Sequence, residues 1–272
     1  MLELHSVLCK AKRWAVEAGK IQVERFGKKE LRVHTKSTRD DLVTEVDELC
    51  EKYITEAIGS SFPGHAILAE EGGEADTETG ARSNYQWVVD PLDGTTNYSQ
   101  GIPIFAVSIA LRHRDRTVLG IVYQPLLGEM FSAVKGGGAY LNNRPISVAQ
   151  KELLKESVLA TGFPYDKSTH EENNVKYFAH FLPRIRGMRR LGAASYDLAS
   201  VAAGRFDGFW ELKLSPWDVE AGILLVQEAG GRVVFLEGKR PLSLAAGNGI
   251  ICAKIAEEIR KADGGGRANL RL

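Results

Sequence analysis

Apolar residues at Leu4, Val7, Leu8, Ala11, Ala15, Ala18, Ile21 and Phe26 recur at helical spacing, with charges filling the other face. The pattern predicts an amphipathic helix laid on a core, and Gly27 is its expected stop. Residues 31–40 are polar and read as a strand edge and loop. Asp41 to Ile58 reads as a second long helix, closed by Gly59 and Pro63. A strand through His65, Ala66, Ile67 and Leu68 runs into Glu70 and Glu71, and the Gly-rich polar stretch 72–84 reads as a loop. Tyr85 to Val89 is a short apolar strand that meets Asp90 and Pro91 directly. Three strand-like runs between Ile104 and Val134 have separators short enough for an antiparallel meander.

Near residue 150 the texture changes to alternating strands and helices. The expected order is a strand at 158–161, a helix from Thr169 to Leu182, a basic strand from Arg186 to Leu191 and a helix from Ser195 to Ala203. A strand from Asp207 to Leu212, a helix from Asp218 to Glu228, a strand from Arg232 to Phe235 and a last strand and helix from Gly249 to Lys261 complete it. The Gly-rich tail from residue 264 reads as frayed. The fold class is therefore α/β, with an α+β half at 1–150 and an α/β half at 151–272.

Composition narrows the function more than the fold. At 272 residues, 44% hydrophobic and 26% charged, the chain can bury a sizeable core. Lys plus Arg and Asp plus Glu are both 35, so no net field steers a polyanion toward it. That balance disfavours a dedicated nucleic-acid binder. Cys9, Cys50 and Cys252 are scattered, without a CxxC or zinc-like spacing, and read as three small buried residues in a reducing compartment. Glu3, Lys10, Lys12 and Arg13 interrupt any secretory signal core, and no apolar run is long enough for a membrane span. A cytoplasmic protein is expected.

The candidate chemistry lies in carboxylates. Glu70 and Glu71 end one strand. Asp90 ends another, Pro91 forbids a continuing ladder, and Asp93 returns to the same side after a tight turn. Gly94 permits an unusual backbone there, and Thr95, Thr96 and Asn97 suit a helix start. Far along the chain, Asp218 opens an apolar helix. Two carboxylates at 4 Å repel by about 4 kcal/mol at an effective dielectric of 20. If these acids converge, a hard cation is called for, and oxygen-only ligands favour Mg²⁺ or Mn²⁺ over zinc.

The strings AEEGG, WVVDPLDGTTNY and PWDVEAG resemble the three signature stretches of the inositol monophosphatase family, and the likeness runs from DLVTEVD through KGGGAY and AAGRFDGFWE to VQEAGG. The resemblance implies a layered αβαβα sandwich of the inositol monophosphatase and fructose-1,6-bisphosphatase type, a homodimer, and a Mg²⁺-dependent, lithium-sensitive phosphomonoesterase with two or three metals. It implies that Glu70, Asp90 and the Leu92 carbonyl hold a first metal, that Asp90 bridges to a second held by Asp93 and Asp218, and that Glu70 helps a third. Thr95 beside Asp47 would activate the attacking water, with Lys36 nearby. Asp93, Gly94, Thr95, Asp218, Glu211 and the backbone of Gly192, Ala193 and Ala194 would meet the substrate. Thr96 and Asn97 favour inositol monophosphate over 3′-phosphoadenosine substrates, with fructose 1,6-bisphosphate or other sugar phosphates as alternatives. Lys167, Arg186, Arg189 and Arg190 are candidates for a second phosphate. Some bacterial relatives also imply a transcription-complex contact, for which Arg184, Arg186, Arg189 and Arg190 are candidates. Glu220 departs from the pattern, since the family usually has a small residue there; helical geometry points it away from Asp218.

Overall fold

The computed structural model describes residues 3–28, 33–35, 42–75, 83–240 and 242–264. Lys36 and the tail beyond residue 264 lie outside them. Helix α1 (Leu4–Arg25) ends where expected, and Gly27 takes a left-handed φ of 73°. Strands β1 (Val33–Thr35) and β2 (Leu42–Thr44) pair antiparallel. Helix α2 (Glu45–Ser61) therefore starts later than the expected Asp41. Residues 42–44 are extended, and the Thr44 side chain caps the helix by accepting from the Val46 amide.

The first large sheet takes β3 (Ala66–Ala69), β4 (Gly73–Ala75), β5 (Tyr85–Asp93), β6 (Ala106–His113), β7 (Arg116–Gln124), β8 (Glu129–Val134), β9 (Ala139–Leu141) and β10 (Arg144–Pro145). Its order is β10-β9-β8-β7-β6-β5-β3-β4, with short α3 (Thr95–Ser99) between β5 and β6. The meander from β6 to β8 is antiparallel, while β3 and β5 run parallel. The stretch read as a loop holds β4, which pairs back onto β3.

The second sheet takes β11 (Val158–Thr161), β12 (Gly187–Arg189), β13 (Gly208–Glu211), β14 (Arg232–Phe235) and β15 (Leu244–Gly247), in the order β12-β11-β13-β15-β14. It is mixed: β11 runs parallel to β12 and β13, whereas β15 inserts antiparallel between β13 and β14. Helix α4 (Val175–Phe181) is shorter than the expected 169–182. Asn174 has φ 73° and is buried; its amide donates to Thr161 Oγ1 at 2.8 Å and its carbonyl accepts from Trp210 Nε1 at 2.7 Å. Those bonds hold a left-handed residue where a helix would have begun.

Helices α5 (Ala194–Ala202), α6 (Pro216–Glu228) and α7 (Gly249–Ala262) complete the layers. Helices α1 and α2 cover one face of the first sheet. Helices α5 and α6 fill the space between the two sheets, and α4 and α7 cover the far face of the second. The αβαβα sandwich is thus present, with three buried apolar clusters at its interfaces. Cys50 and Cys252 are buried as expected, but Cys9 is exposed on α1. Among the described residues no helix is long and apolar enough to cross a membrane.

Candidate active site

The acids gather where strand ends meet helix starts. Parallel β3 and β5 put Ala69 opposite Val89, so Glu70 and Asp90 leave the sheet side by side, and the Glu70 amide donates to the Val89 carbonyl at 3.2 Å. Pro91 and a bulge between Asp90 and Asp93 end the regular pairing with β6. The Leu92 amide donates to Asp90 Oδ1 at 3.0 Å, and Gln22 of α1 donates to the Pro91 carbonyl at 2.8 Å. Gly94 then turns with φ 97°. A Cβ there would lie 3.0 Å from the Ile104 carbonyl oxygen, so a side chain is both strained and crowded.

Thr95 Oγ1 lies 2.8 Å from Asp47 Oδ1 and 3.0 Å from the Leu92 carbonyl oxygen. Asp47, at the third position of α2, is fixed by its other oxygen, which accepts from the Thr44 amide at 2.9 Å and the Thr44 hydroxyl at 2.5 Å. This reciprocal capping box satisfies the helix end and aims one free carboxylate oxygen at Thr95. Burial pushes Asp47 up to about 6 against the pull of the Thr44 and Thr95 bonds.

Asp93 and Asp218 arrive from different layers. Ser195, in the first turn of α5, donates its amide (2.8 Å) and hydroxyl (2.5 Å) to Asp93 Oδ2. Asp218, third residue of α6, accepts from the Ser215 amide at 2.6 Å in a second capping box. Burial, with Glu70 close by, raises Asp90 and Asp218 well above the carboxylate range and lifts Asp93 to about 6. Asp90 also feels Asp93 and Asp218. Buried acids that mutually raise one another form a strongly acidic site. Among the described residues no Lys or Arg pairs with Asp90, Asp93 or Asp218. Nor do three His, Cys, Asp or Glu side chains among them already stand as a closed metal cage. The donor set is nonetheless all oxygen, and no described Lys or Arg neutralises Asp90, Asp93 or Asp218, which fits a hard divalent cation.

The second half supplies a wall. Asn97 donates to the Leu191 carbonyl at 2.7 Å and the Ile104 carbonyl at 2.8 Å, drawing residues 191–194 against α3. Gly192 has φ 86°, and a Cβ on it would run into the Arg190 guanidinium. A Cβ on Gly94 would lie 3.3 Å from the Ala193 Cβ, so Gly192, Ala193 and Ala194 do lie beside Asp93 and Gly94. Glu211 ends β13, and a Cβ on Gly162 would run into its carboxylate. Burial pushes Glu211 up to about 8, while Arg190 pulls it down. Asp197 is a further buried acid near Glu211, Asp93 and Arg190, and its Oδ1 has no hydrogen-bond partner among the described residues. Thr44, Ser195 and Asp197 were not legible as site residues. Thr44 does precede the second helix with Asp three residues on, the spacing of a capping box.

Five layers with oxygen-donor acids at the joint between both sheets define a phosphatase of the metal-dependent class. The chain belongs to the inositol monophosphatase family, whose pattern it matches over residues 3–263. It is 39% identical to the inositol-1-monophosphatase of Mesorhizobium japonicum over 252 residues, 91% of this chain and 93% of that one. It is 47% identical to Nus factor SuhB of Pseudomonas aeruginosa over 195 residues, 71% of this chain and 72% of that one. Among solved structures, the extragenic suppressor protein suhB of Bartonella henselae superposes with a TM-score of 0.87 at 38% identity, covering 94% of this chain and 99% of that one. Inositol monophosphatase from Anabaena (Nostoc) sp. PCC 7120 gives 0.83 at 37%, covering 96% and 97%.

Proposed function

We propose that the protein hydrolyses inositol monophosphate to inositol and phosphate, with Mg²⁺ held by Glu70, Asp90, Asp93, Asp218 and the Leu92 carbonyl. The observation that carries the reading is the Thr95–Asp47 contact at 2.8 Å, set beside the acid cluster. With its proton donated to Asp47, Thr95 Oγ1 keeps lone pairs that accept from a water and orient it for in-line attack on phosphorus. When bound, the divalent cations neutralise developing charge on the phosphoryl and leaving oxygens and make the water more acidic. Glu211 and the amides of residues 192–194 face the polyol. The two halves divide this work: residues 1–150 supply Asp47, Glu70, Asp90, Asp93 and Thr95, and residues 151–272 supply Asp218 and the substrate wall.

Family membership extends the reading to lithium inhibition, a homodimer and a cytoplasmic location. The test is phosphate release from a panel of inositol 1-phosphate, fructose 1,6-bisphosphate, NADP and 3′-phosphoadenosine 5′-phosphate, with Mg²⁺ or Mn²⁺. Inositol 1-phosphate is expected to give the highest kcat/KM, and a preference for fructose 1,6-bisphosphate would replace the substrate assignment. A second reading, a contact with a transcription complex, draws on the relatives named Nus factor SuhB. It also draws on the exposed Arg184, Arg186, Arg189 and Arg190, of which Arg189 lies in the edge strand β12 and the others flank it. An Asp90 variant without activity would keep such a contact.

A further inference from the structure

Glu220 stands two residues beyond Asp218 on α6, yet its side chain leaves the acid cluster for the first sheet. Arg112 Nη2 donates to Glu220 Oε1 at 2.5 Å, and Thr117 Oγ1 donates to Oε2. Arg112 Nη1 donates in turn to Gln86 Oε1 at 2.9 Å. One carboxylate thereby ties α6 to β5, β6 and β7. The Arg112 and Glu220 side chains keep only 23% and 17% of their exposure, so salt screens the pair weakly.

Other contacts decide how near α6 lies to its neighbours. A Cβ on Gly120 would sit 2.9 Å from the Ala221 carbonyl oxygen, so α6 rests directly on the β7 backbone. A Cβ on Gly222 would collide with Leu198 of α5, the helix whose Ser195 holds Asp93. Such apolar contacts set distance but tolerate sliding. The bonds to Glu220 have direction, because Arg112 is itself anchored by Gln86, and they select one position of α6 along the sheet. Ser108 Oγ, donating to the Trp217 carbonyl at 3.1 Å, is a second tie on the same side.

We infer that Glu220, through Arg112 and Thr117, is a positioning residue that sets where Asp218 stands among the acids and so how tightly the site holds Mg²⁺. The inference rests on the reading of Asp218 as a metal ligand.

The test measures Mg²⁺ binding to the full chain by titration calorimetry and by the Mg²⁺-induced rise in melting temperature, beside the half-saturating Mg²⁺ for phosphate release. Arg112→Met and Glu220→Ala should each weaken binding about tenfold or more, the scale for losing an outer partner of a metal ligand. Their kcat at saturating Mg²⁺ should stay within about threefold, since the chemical groups are intact. The double variant should bind no more weakly than the worse single one, because both remove one tie. The sign for Arg112→Met discriminates: removing a nearby cation would, through its field alone, tighten Mg²⁺ binding. Thr117→Val removes only the hydroxyl bond to Glu220 and leaves the Arg112 pair in place, and should weaken binding about two- to threefold on the scale of one lost hydrogen bond. Unchanged or tighter binding in folded Arg112→Met and Thr117→Val overturns the inference. Asp218→Asn is the control. If it loses binding while Arg112→Met does not, the tie alone is rejected; if it binds normally, the metal role of Asp218 falls and the inference with it.

Discussion

At Asp47 and Thr95 two side chains from different helices are joined by one hydrogen bond of 2.8 Å, the proposed means of orienting the attacking water. Asp47 is held from behind by Thr44, so its free oxygen has one address, Thr95. Thr95→Ala is expected to lower kcat by about 10²–10⁴ with little change in KM, the range for losing a positioned proton acceptor. Asp47→Asn should behave alike, and the double variant should cost little more than either, which steady-state kinetics will read. Additive losses would show that the two do not act together. Glu211 is a different case: its carboxylate is raised to about 8 without metal, and a divalent cation beside Asp93 would lower it and keep it an acceptor. Glu211→Gln should then weaken turnover of inositol phosphate by about 1.5–3 kcal/mol, the scale of a lost charged hydrogen bond. An aryl phosphate, which has no such hydroxyls, should be nearly unaffected, and comparing the two substrates checks it.

Individual elements show why some of this was legible in the sequence and some was not. Asp90 could be read because three apolar residues run into it and Pro91 stops the ladder, a purely local signal. The start of α2 was misread at Asp41 because its periodicity continues through residues that pair with β1; only Thr44, as a cap, marks the true boundary. The bond from Ser195 to Asp93 spans 102 residues and leaves no local pattern. Asn174 likewise breaks a helical stretch through bonds to β11 and β13. The capping box offers an element-scale test. Thr44→Val should destabilise the protein by about 0.5–2 kcal/mol in urea unfolding, from the lost cap. It should also lower kcat, because Asp47 loses the hydroxyl that fixes it. Lost stability with unchanged kcat would separate the cap from the chemistry.

Across the whole molecule, the helices between the two sheets carry acids and their holders from the second half to strand ends of the first. That convergence concentrates negative charge inside the protein, with a consequence for stability. Asp47 and Asp93 are raised to about 6 and Glu211 to about 8, with Asp90 and Asp218 also raised. Folded values above unfolded ones contribute stability that is fully present below about pH 4 and lost as pH climbs through 6 to 8. Asp166, lowered by Arg240 and Lys213, works oppositely, but its contribution is lost only below about pH 4. The metal-free protein is therefore expected to melt lower at pH 8.5 than at pH 5.5, and added Mg²⁺ to raise the melting temperature more at pH 8.5. Thermal melts with and without Mg²⁺ at both values check this. On the proposed reading the acid cluster holds the cations that hydrolysis needs. Phosphate release from inositol 1-phosphate, followed as Mg²⁺ is returned to chelator-stripped protein, tests it most directly. No turnover in EDTA is expected, with recovery on Mg²⁺ in the wild type and a rate at least about 10²–10³ lower in Asp90→Asn. Full activity in excess EDTA, or an Asp90→Asn rate within tenfold of wild type, would contradict it.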